Sequence, residues 1–388
     1  MKLLYVIPSL EPAAGGTAEM VKIIGKSQQD LGHQVEVLSL DVPGSPWLIQ
    51  SPLKVHALGK GLLFYGYNPK MREWLLAHAS EYDAIIINGL WQYTSFGTWS
   101  ALRKKRLSYF VFTHGMLDPW FKETYPLKHL KKWLYWPWTD YRVLRDARAV
   151  FFTSEQERLL ARRSFWLYRC VEKVVSLGTL PPPGDRVLQR ELFFQQFPNL
   201  KAKRIILFLG RVHEKKGCDL LIQAFASLLS EPACANREEI HLVIAGPCAS
   251  AAYLEELQQL AERTCPASSV TWTGLLSGDV KWGALHAAEI FALPSHNENF
   301  GISVSESISC GVPVLISNKV NIFEEIERDG AGLVENDDLE GARRLLSRWF
   351  SMPAEKQQAM KEASERCFLS RFEAHGAARR VIDMIAAS

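Results

Sequence analysis

Short apolar runs recur along this chain, and each is followed by a loop containing glycine or proline and then by a helical pattern. The first run covers residues 2–7, and similar runs cover 35–40, 205–209, 241–245 and 290–293. Runs of this length and composition are typical of parallel strands that helices cover on both faces. The alternation therefore predicts an α/β fold built from doubly wound, Rossmann-like sheets.

The length of the chain predicts two domains. It has 388 residues, 47% of them hydrophobic, which is enough to bury two ordinary cores. The alternation breaks between residues 180 and 203, where a proline-rich run precedes a polar and aromatic stretch with the composition of a short helix. We expect an amino-terminal domain at 1–185 and a second domain at 200–371, with a carboxy-terminal helix, about 372–388, packing back onto the first.

Charge and cysteine usage narrow the class of protein. The net charge of +3 is too small to indicate a nucleic-acid partner by itself, and no nucleic-acid-binding module accompanies the basic residues. The seven cysteines are scattered and include no C-x-x-C pair, a pattern that indicates reduced thiols and no metal site. No apolar stretch approaches the roughly 20 residues that span a bilayer. We expect a cytoplasmic protein that at most lies on the inner face of the membrane.

Two carboxylates lie in one strand–loop–helix unit of the second domain. Residues 290–293 have the pattern of a buried strand, a polar loop follows, and a helix of small residues begins near Gly301. Glu298 lies in the loop and Glu306 in the helix. A carboxylate accepts two hydrogen bonds from a vicinal diol, and the free N–H groups at a helix start suit a phosphate. This combination indicates a nucleotide-sugar site.

A basic loop bounded by glycines follows the predicted strand at 205–209. It carries Arg211 and Lys216, five positions apart. Such a loop can direct both cations at one diphosphate, although an exposed basic loop explains the pair equally well when it is taken alone. The two glutamates belong to the same predicted sheet, and this favours the diphosphate interpretation.

The first domain offers a second set of candidate residues. Gly15 and Gly16 follow the first strand, where they either face a phosphate or merely make a turn. Asn88, Thr113 and His114 follow two further strands, and ligands of parallel sheets bind beyond the carboxyl ends of the strands. His114 is therefore either a ligand-binding residue or a loop histidine that caps or packs.

Residues 120–169 are basic and aromatic. The segment includes Lys128, Lys131, Lys132, Arg142, Arg145 and Arg148 among Trp133, Tyr135, Trp136, Trp138 and Tyr141. One interpretation is a solvated helix face over a Trp-rich core stripe. The other is reversible contact with an anionic membrane surface, because aromatic rings favour the interface and cations meet the headgroups.

The motifs, in their order along the chain, resemble the retaining glycosyltransferases of family 4, also called glycosyl transferases group 1. The resemblance rests on Gly15-Gly16 and on the stretches at 208–217, 244–247, 293–314 and 330–334. It extends over nearly the whole chain and is best defined from Arg204 to Val334. It implies the GT-B fold, in which two Rossmann-like doubly wound domains face each other across a cleft.

Glu298 and Glu306 match the E-x7-E motif of that family. The resemblance implies that Glu298 contacts the transferred sugar and that Glu306 contacts the ribose of the nucleotide. It also implies that Arg211 and Lys216 neutralise the leaving diphosphate, and that the glycine loop and His114 lie on the acceptor side. Backbone amides expected to face the phosphates belong to Asn299, Phe300, Gly301 and Ile302.

The reaction that the resemblance implies is sugar transfer with retention at the anomeric carbon. The co-substrate is then a nucleotide-diphospho-sugar such as a UDP- or GDP-sugar, and the acceptor a saccharide or lipid-linked glycan of polysaccharide or glycolipid biosynthesis. The chain contains no Asp-x-Asp pair, so side-chain cations are expected to stabilise the departing diphosphate. A same-face displacement within an ion pair fits better than a covalent glycosyl-enzyme, for which no reacting carboxylate is evident.

Two other functions fit the sequence less well. A dinucleotide-dependent oxidoreductase needs G-x-G-x-x-G after a strand and an acid about 20 residues later, and neither glycine loop fits. A non-catalytic nucleotide-sugar or membrane-binding protein has no need of Arg211, Lys216 and both glutamates together.

Overall fold

The computed structural model describes residues 1–12, 15–230 and 237–388, which divide into two compact units. Unit 1 comprises Met1–Thr179 together with Glu373–Ser388, and unit 2 comprises Leu180–Phe372. The stretch expected to separate the two domains thus contributes to unit 2, where residues 186–196 form a helix.

Unit 1 alternates strands and helices from its first residue. Its strands are β1 (Lys2–Ile7), β2 (Gln34–Ser39), β3 (Lys54–Ala57), β4 (Ala84–Asn88), β5 (Phe110–Phe112), β6 (Ala149–Phe152) and β7 (Glu172–Val174). Its helices are α1 (Gly16–Asp30), α2 (Pro46–Ile49), α3 (Pro69–His78), α4 (Tyr93–Lys105), α5 (Trp120–Thr124), α6 (Pro126–Tyr135), α7 (Asp140–Asp146) and α8 (Glu155–Ala161). Short 3₁₀ turns cover Ala79–Glu81 and Trp136–Trp138.

These strands pair in parallel, in the order β3-β2-β1-β4-β5-β6-β7 over the described residues. Tyr5 of the central strand β1 aligns with Val37 on one side and Ile86 on the other. The order of the strands reverses between β1 and β4, so their following loops diverge and leave a crevice in which doubly wound sheets bind ligands.

Unit 2 continues the alternation. Its strands are β8 (Arg204–Leu209), β9 (Ile240–Ala245), β10 (Val270–Gly274), β11 (Ala288–Leu293), β12 (Val314–Ser317) and β13 (Gly332–Glu335). Its helices are α9 (Arg186–Gln196), α10 (Cys218–Ser230), α11 (Ala251–Thr264), α12 (Gly278–Ala287), α13 (Ile302–Ser309), α14 (Phe323–Arg328), α15 (Leu339–Phe350) and α16 (Ala354–Cys367). Short 3₁₀ turns cover Pro198–Leu200, Glu214–Lys216 and Arg237–Glu239.

The sheet of unit 2 is also parallel, in the order β10-β9-β8-β11-β12-β13 among the strands described. Ile206 of β8 aligns with Leu242 of β9 and Ile290 of β11, and all three side chains are buried. The switch point lies between β8 and β11, so the loops after these two strands are the ones expected to carry a ligand site.

The last helix, α17 (Ala374–Ala386), belongs to unit 1. A π-helical segment at Phe368–Phe372 interrupts the helical run before it. The Ala374 N–H donates to the carbonyl of Thr179 (3.0 Å), and His375 Nε2 lies 3.5 Å from a carboxylate oxygen of Asp30 at the end of α1. These contacts hold the end of the chain against α1. Across the described ranges, none of the helices has the length and apolarity that crossing a membrane requires.

Candidate functional site

Two loops meet at the switch point of unit 2. The loop after β8 approaches the loop after β11 through the carbonyl of Lys215, which accepts from the His296 N–H (2.8 Å) and the Ser295 hydroxyl (2.9 Å). Gly217 permits this approach, because its φ is +66° and a Cβ there would lie 2.2 Å from the carbonyl oxygen of Pro294. The backbone on either side of Lys216 is therefore fixed against the β11 loop.

Lys216 forms an ion pair with Glu298, and its Nζ donates to Oε2 of the carboxylate. Both side chains are mostly buried, with 19% and 21% of their surfaces exposed. Burial raises the pKa of Glu298, but the charge and hydrogen bond of Lys216, with smaller contributions from Lys215 and the Asn299 N–H, outweigh it. The net pKa lies below the ordinary value, so the carboxylate is ionised at neutral pH.

A third loop, the one after β12, holds the backbone of Glu298. The Glu298 N–H donates to the carbonyl of Lys319, and the Asn321 N–H donates to the carbonyl of Glu298, both at 2.9 Å. This parallel bridge places the residue between three loops that each leave the carboxyl end of a strand. The backbone of Glu298 is thus held by the loops after β11 and β12.

Helix α13 begins directly after this loop. Its N-cap, Gly301, has φ +73° and supplies no side-chain cap, and the first turn contains no acidic residue. The first turn of a helix presents N–H groups and the positive end of the helix dipole, and both favour an anion. The Asn299 N–H donates to Oε1 of Glu298 at 3.1 Å. The predicted contact of Asn299, Phe300, Gly301 and Ile302 with phosphates stays a prediction.

Glu306 lies on α13 and pairs with a residue that the sequence did not indicate. Lys281 of α12 donates to its Oε1 at 2.7 Å, and the same ammonium lies 4.4 Å from the centre of the Trp282 ring. Both paired side chains are largely buried. Lys281 lies on α12, an earlier helix of unit 2, and no motif marks it.

Arg211 stands apart from these pairs. It is exposed at the start of the β8 loop, and it forms no ion pair with a carboxylate of the described residues. The structure therefore brings Lys216 to Glu298 and leaves Arg211 open to solvent on the same loop. A joint role of the two cations on a diphosphate stays a prediction.

His114 lies in unit 1, in the loop after β5, with φ +49° and its ring stacked on Phe112. Its Nε2 is 3.0 Å from Oδ1 of Asn88, whose amide Nδ2 donates to the carbonyls of Val6 and Ile86. This network makes Nε2 the protonated nitrogen and leaves Nδ1 as an acceptor. Burial lowers the pKa of His114 to about 4, so the ring is neutral at neutral pH.

The Glu157 carboxylate of α8 accepts hydrogen bonds from the residues on either side of His114. Its Oε1 accepts from the Thr113 hydroxyl and the Gly115 N–H, both at 2.6 Å. Its Oε2 accepts from the N–H (2.7 Å) and hydroxyl (2.8 Å) of Thr153. The sequence gives one signal, the Ser-x-x-Glu pattern ending at Glu157, but that pattern indicates a capping box and not a contact with another loop.

Gly15 and Gly16 also belong to unit 1. Gly15 has φ +85° and is the N-cap of α1, and Gly16 is the first residue of that helix. Among the residues that the structure describes, no side chain caps the helix start. The predicted role of Gly15 and Gly16 in facing a phosphate stays a prediction.

The basic and aromatic segment at 120–169 divides into a buried and an exposed part. Trp136 is fully buried and stacks on Phe165, and Lys132 turns inward over the Trp91 ring, where burial lowers its pKa. Helix α6 instead presents an exposed face with lysines beside it, here called the α6 surface, which comprises Leu127, Leu130, Trp133, Leu134, Lys128 and Lys131.

The cysteines and the metal-ligating side chain types form no metal-binding cluster in the described residues. The cysteines of the described residues are free thiols. Within the same residues, no three His, Cys, Asp or Glu side chains come together as a metal ion would require.

Two family models match the chain. Residues 15–175 match the one described as glycosyl transferase 4-like domain, and residues 189–366 match the one described as glycosyl transferases group 1. The D-inositol 3-phosphate glycosyltransferase of Geodermatophilus obscurus is 31% identical over 159 residues, which are 40% of this chain and 34% of that protein. The matched part spans about a third to a half of the first curated relatives.

Solved structures resemble the whole chain. Anabaena HepE, crystallised with UDP and glucose, gives a TM-score of 0.78 at 18% identity. Sucrose-phosphate synthase from Thermosynechococcus elongatus gives 0.74 at 20% identity, and each comparison covers 100% of both chains. These similarities show the fold, and the family models agree with them in both units. The chain belongs to the glycosyl transferases group 1 family, as a GT4-type glycosyltransferase with the GT-B fold.

Proposed function

We propose that the chain transfers a sugar from a nucleotide-diphospho-sugar to a hydroxyl of a saccharide or lipid-linked acceptor, with retention at the anomeric carbon. The observation that carries the proposal is the Lys216–Glu298 ion pair at the switch point of unit 2. It places a cation suited to a leaving diphosphate beside a carboxylate suited to the transferred sugar. A UDP- or GDP-sugar is the expected donor, and HepE, which was crystallised with UDP-glucose, supports this class.

The donor occupies the loops after β8 and β11. Lys216 donates to the diphosphate, and Arg211, exposed on the same loop, turns onto it. The N–H groups at the start of α13 face the phosphates, as oriented dipoles at a helix start do. Glu306 accepts hydrogen bonds from the ribose hydroxyls, and Lys281 keeps its carboxylate in place (2.7 Å).

In the reaction, the bond between C1 of the sugar and the diphosphate oxygen breaks, and its electron pair leaves with the nucleotide diphosphate. Lys216 and Arg211 stabilise this developing charge. The acceptor oxygen bonds to C1 on the face that the diphosphate leaves, and its proton passes to a diphosphate oxygen. Glu298 stays ionised beside the sugar, which carries positive charge at this point. No residue forms a covalent bond to the sugar.

His114 serves the acceptor side by accepting a hydrogen bond. Its Nδ1 is the free acceptor of a neutral ring, because Nε2–H is taken by Asn88. A sugar hydroxyl is the donor that suits this atom. The uncapped start of α1 after Gly15 is a second place for a sugar hydroxyl or a phosphate.

Nucleotide release from a panel of UDP- and GDP-sugars tests the donor site. One or more donors should release nucleotide diphosphate with the wild type, and Lys216→Ala and Glu306→Ala should each lose most of this activity while remaining folded by circular dichroism. Arg263→Ala, which removes an exposed cation of α11, is the matched control and should behave as the wild type. Full activity of Lys216→Ala would contradict the assignment of Lys216 to the donor site.

Two further measurements test the chemistry. The configuration of the first-formed product, followed by proton NMR, should equal that of the donor, and an inverted product would exclude retention. We also propose that the cations of the β8 loop make a metal ion unnecessary. EDTA should therefore leave the rate unchanged, and a loss restored by added divalent ion would contradict this part.

We also propose that the α6 surface binds anionic membrane, which would bring the enzyme to a lipid-linked acceptor. Leu127, Leu130 and Leu134 recur at helical spacing and are 82%, 54% and 62% exposed. Lys128 and Lys131 flank them, and α6 contains no acidic residue. Apolar side chains at the acyl boundary and lysines at the headgroups suit such a surface.

Vesicle co-sedimentation at low salt tests this second property. The wild type should sediment with vesicles containing anionic lipid and much less with neutral ones. Leu134→Asp should reduce sedimentation, whereas Leu62→Asp, in the loop after β3, should not, although the two leucines are 62% and 64% exposed. Equal sedimentation of the two variants would remove the α6 surface from the account.

A further inference from the structure

A basic pocket lies at the amino ends of β8 and β11 in unit 2. It has a volume of about 430 Å³, and its polar lining comes chiefly from Arg186, Arg190, Lys203, Arg204, His286 and Lys361. The loops with Lys216 and Glu298 leave the carboxyl ends of the same strands. A parallel strand of this length spans about 17 Å, so the basic pocket is separate from the proposed donor site.

The cations of the basic pocket are incompletely neutralised. Among the described lining residues, the carboxylate is that of Glu289. The Arg204 guanidinium donates a hydrogen bond to each of its two oxygens, at 2.6 and 2.7 Å. Lys203 donates to a backbone carbonyl, which leaves its charge in place. Arg186, Arg190 and Lys361 form no ion pair with any carboxylate in the described part of the chain. The lining therefore carries a net positive charge.

His286 provides a second, independent observation. It lines the basic pocket, the residue is 8% exposed, and its Nδ1 is buried without a hydrogen-bond partner among the described residues. Burial, with smaller contributions from the nearby charges of Arg186 and Arg190, lowers the pKa of His286 to about 4. A neutral ring with an unpaired nitrogen beside two guanidinium groups leaves both a hydrogen bond and a counter-charge unmade.

The two arginines are held by a rigid support. They lie four positions apart on α9, so they face the same side of that helix. Helix α9 packs closely on α12, where a Cβ at Gly283 would lie 2.0 Å from the carbonyl oxygen of Gln189. Gln189 also donates to Asp279 of α12 at 2.9 Å. The helix therefore fixes the backbone of both arginines, whose exposed side chains line the same pocket as Lys361 of α16.

We propose that the basic pocket binds the phosphate of a small phosphate monoester. Paired arginines form bidentate hydrogen bonds with phosphate oxygens, and a lysine adds a point charge. A volume of this size accommodates a small molecule, since ligand sites occupy about 300–1,000 Å³. The phosphate belongs either to a dissolved metabolite or to a lipid headgroup of the phosphatidic acid type, since both present the same group.

Titration calorimetry with glycerol 3-phosphate at constant ionic strength tests the proposal. The wild type should bind, and the double variant Arg186→Ala/Arg190→Ala should bind at least about tenfold more weakly, because two charge-assisted contacts are lost. Lys216→Ala should bind as the wild type does, since its residue lies at the other end of the sheet. Arg263→Ala is the control for an exposed cation elsewhere in unit 2, and circular dichroism checks the fold of each variant.

Sedimentation with vesicles of phosphatidic acid and phosphatidylcholine distinguishes the two sources. Binding of glycerol 3-phosphate that depends on Arg186 and Arg190, without vesicle binding that depends on them, assigns the site to a dissolved monoester. Both kinds of binding, each dependent on these arginines, support the phosphate site for either source. Vesicle binding that depends on the same arginines, without binding of glycerol 3-phosphate, assigns it to a lipid headgroup. Loss of phosphate binding in Lys216→Ala but not in the double variant would overturn the proposal, and so would the absence of both kinds of binding.

Discussion

At the scale of single residues, the charge state of Glu298 depends on Lys216. Burial raises the pKa of this carboxyl, and Lys216 more than offsets it. Lys216→Ala should therefore raise the pKa of Glu298, because burial is then opposed only by Lys215 and the Asn299 N–H. As the pH is lowered, the Glu298 carboxylate would then become protonated at a higher pH in the variant than in the wild type.

Carbon-13 NMR of the Glu298 carboxyl as a function of pH measures this shift without requiring activity. Lys215→Ala is the matched control, because Lys215 acts on the same carboxyl only as a smaller charge effect. A shift in Lys216→Ala no larger than in Lys215→Ala would show that the ion pair does not control Glu298.

Glu157 is predicted to be a positioning residue for His114. A glutamine at this position keeps one acceptor oxygen, but its NH₂ group faces donors that it cannot satisfy. Glu157→Gln should lower the rate of transfer about tenfold or more and leave the affinity for nucleotide diphosphate unchanged, because the donor loops belong to unit 2.

Nitrogen-15 NMR of His114 provides the accompanying readout, since displacement of the loop should change the ratio of its tautomers. Glu155→Gln on the same helix is the control, because that carboxylate is exposed and pairs with Arg158. Unchanged transfer and unchanged His114 signals in Glu157→Gln would leave Glu157 with a structural role only.

At the scale of elements, the contact between the loops after β8 and β11 depends on Gly217. Gly274 has the same φ of +66° but no heavy atom within 4 Å of the Cβ position. Gly274→Ala should thus lower the free energy of unfolding only by the strain of a left-handed alanine, roughly 1 kcal/mol. Gly217→Ala adds a collision with Pro294 and should cost about 3 kcal/mol or more, and it should also lower transfer by displacing Lys216. Urea unfolding and nucleotide release measure the two effects, and equal losses in the two variants would contradict this reasoning.

The central strands could be predicted because they are buried on both faces. β1, β8 and β11 are apolar runs whose burial follows from composition alone. The edge strands β3 and β7 could not, because Lys54–Ala57 and Glu172–Val174 are short, half polar and partly exposed. They are strands because β2 and β6 offer them backbone hydrogen bonds, and this information lies elsewhere in the chain.

Candidate site residues divide in the same way. Glu298, Glu306 and Lys216 could be chosen because they lie in the loops and the helix that follow apolar strands. Lys281 and Glu157 could not, because each contacts the site from a separate helix and only the tertiary fold brings them there. The exposure of Trp133 beside the burial of Trp136 also depends on how α6 packs, which composition does not specify.

At the scale of the whole molecule, buried histidines predict sensitivity to mild acid. Burial lowers the pKa values of His114, His241 and His286 to about 4. Between that value and the ordinary value of about 6.5, the unfolded chain binds more protons than the folded one. The contribution of these histidines to the free energy of unfolding is therefore fully present above about pH 6.5 and decreases as the pH falls below it.

Urea midpoints at pH 7 and pH 5 measure this dependence, and the midpoint should be lower at pH 5. His241→Gln should reduce the difference, whereas His213→Gln should not, because His213 is exposed. A midpoint that does not change between the two pH values would contradict the neutral state of the buried rings.

The central claim is that the Lys216–Glu298 site binds the diphosphate of a nucleotide sugar. Titration calorimetry with UDP and GDP, each with and without its sugar, tests it most directly in the wild type, Lys216→Ala and Arg263→Ala. We predict binding of at least one nucleotide by the wild type and by Arg263→Ala, and binding at least about tenfold weaker by Lys216→Ala, because a charge-assisted contact with phosphate is lost. Wild-type affinity in Lys216→Ala would contradict the account.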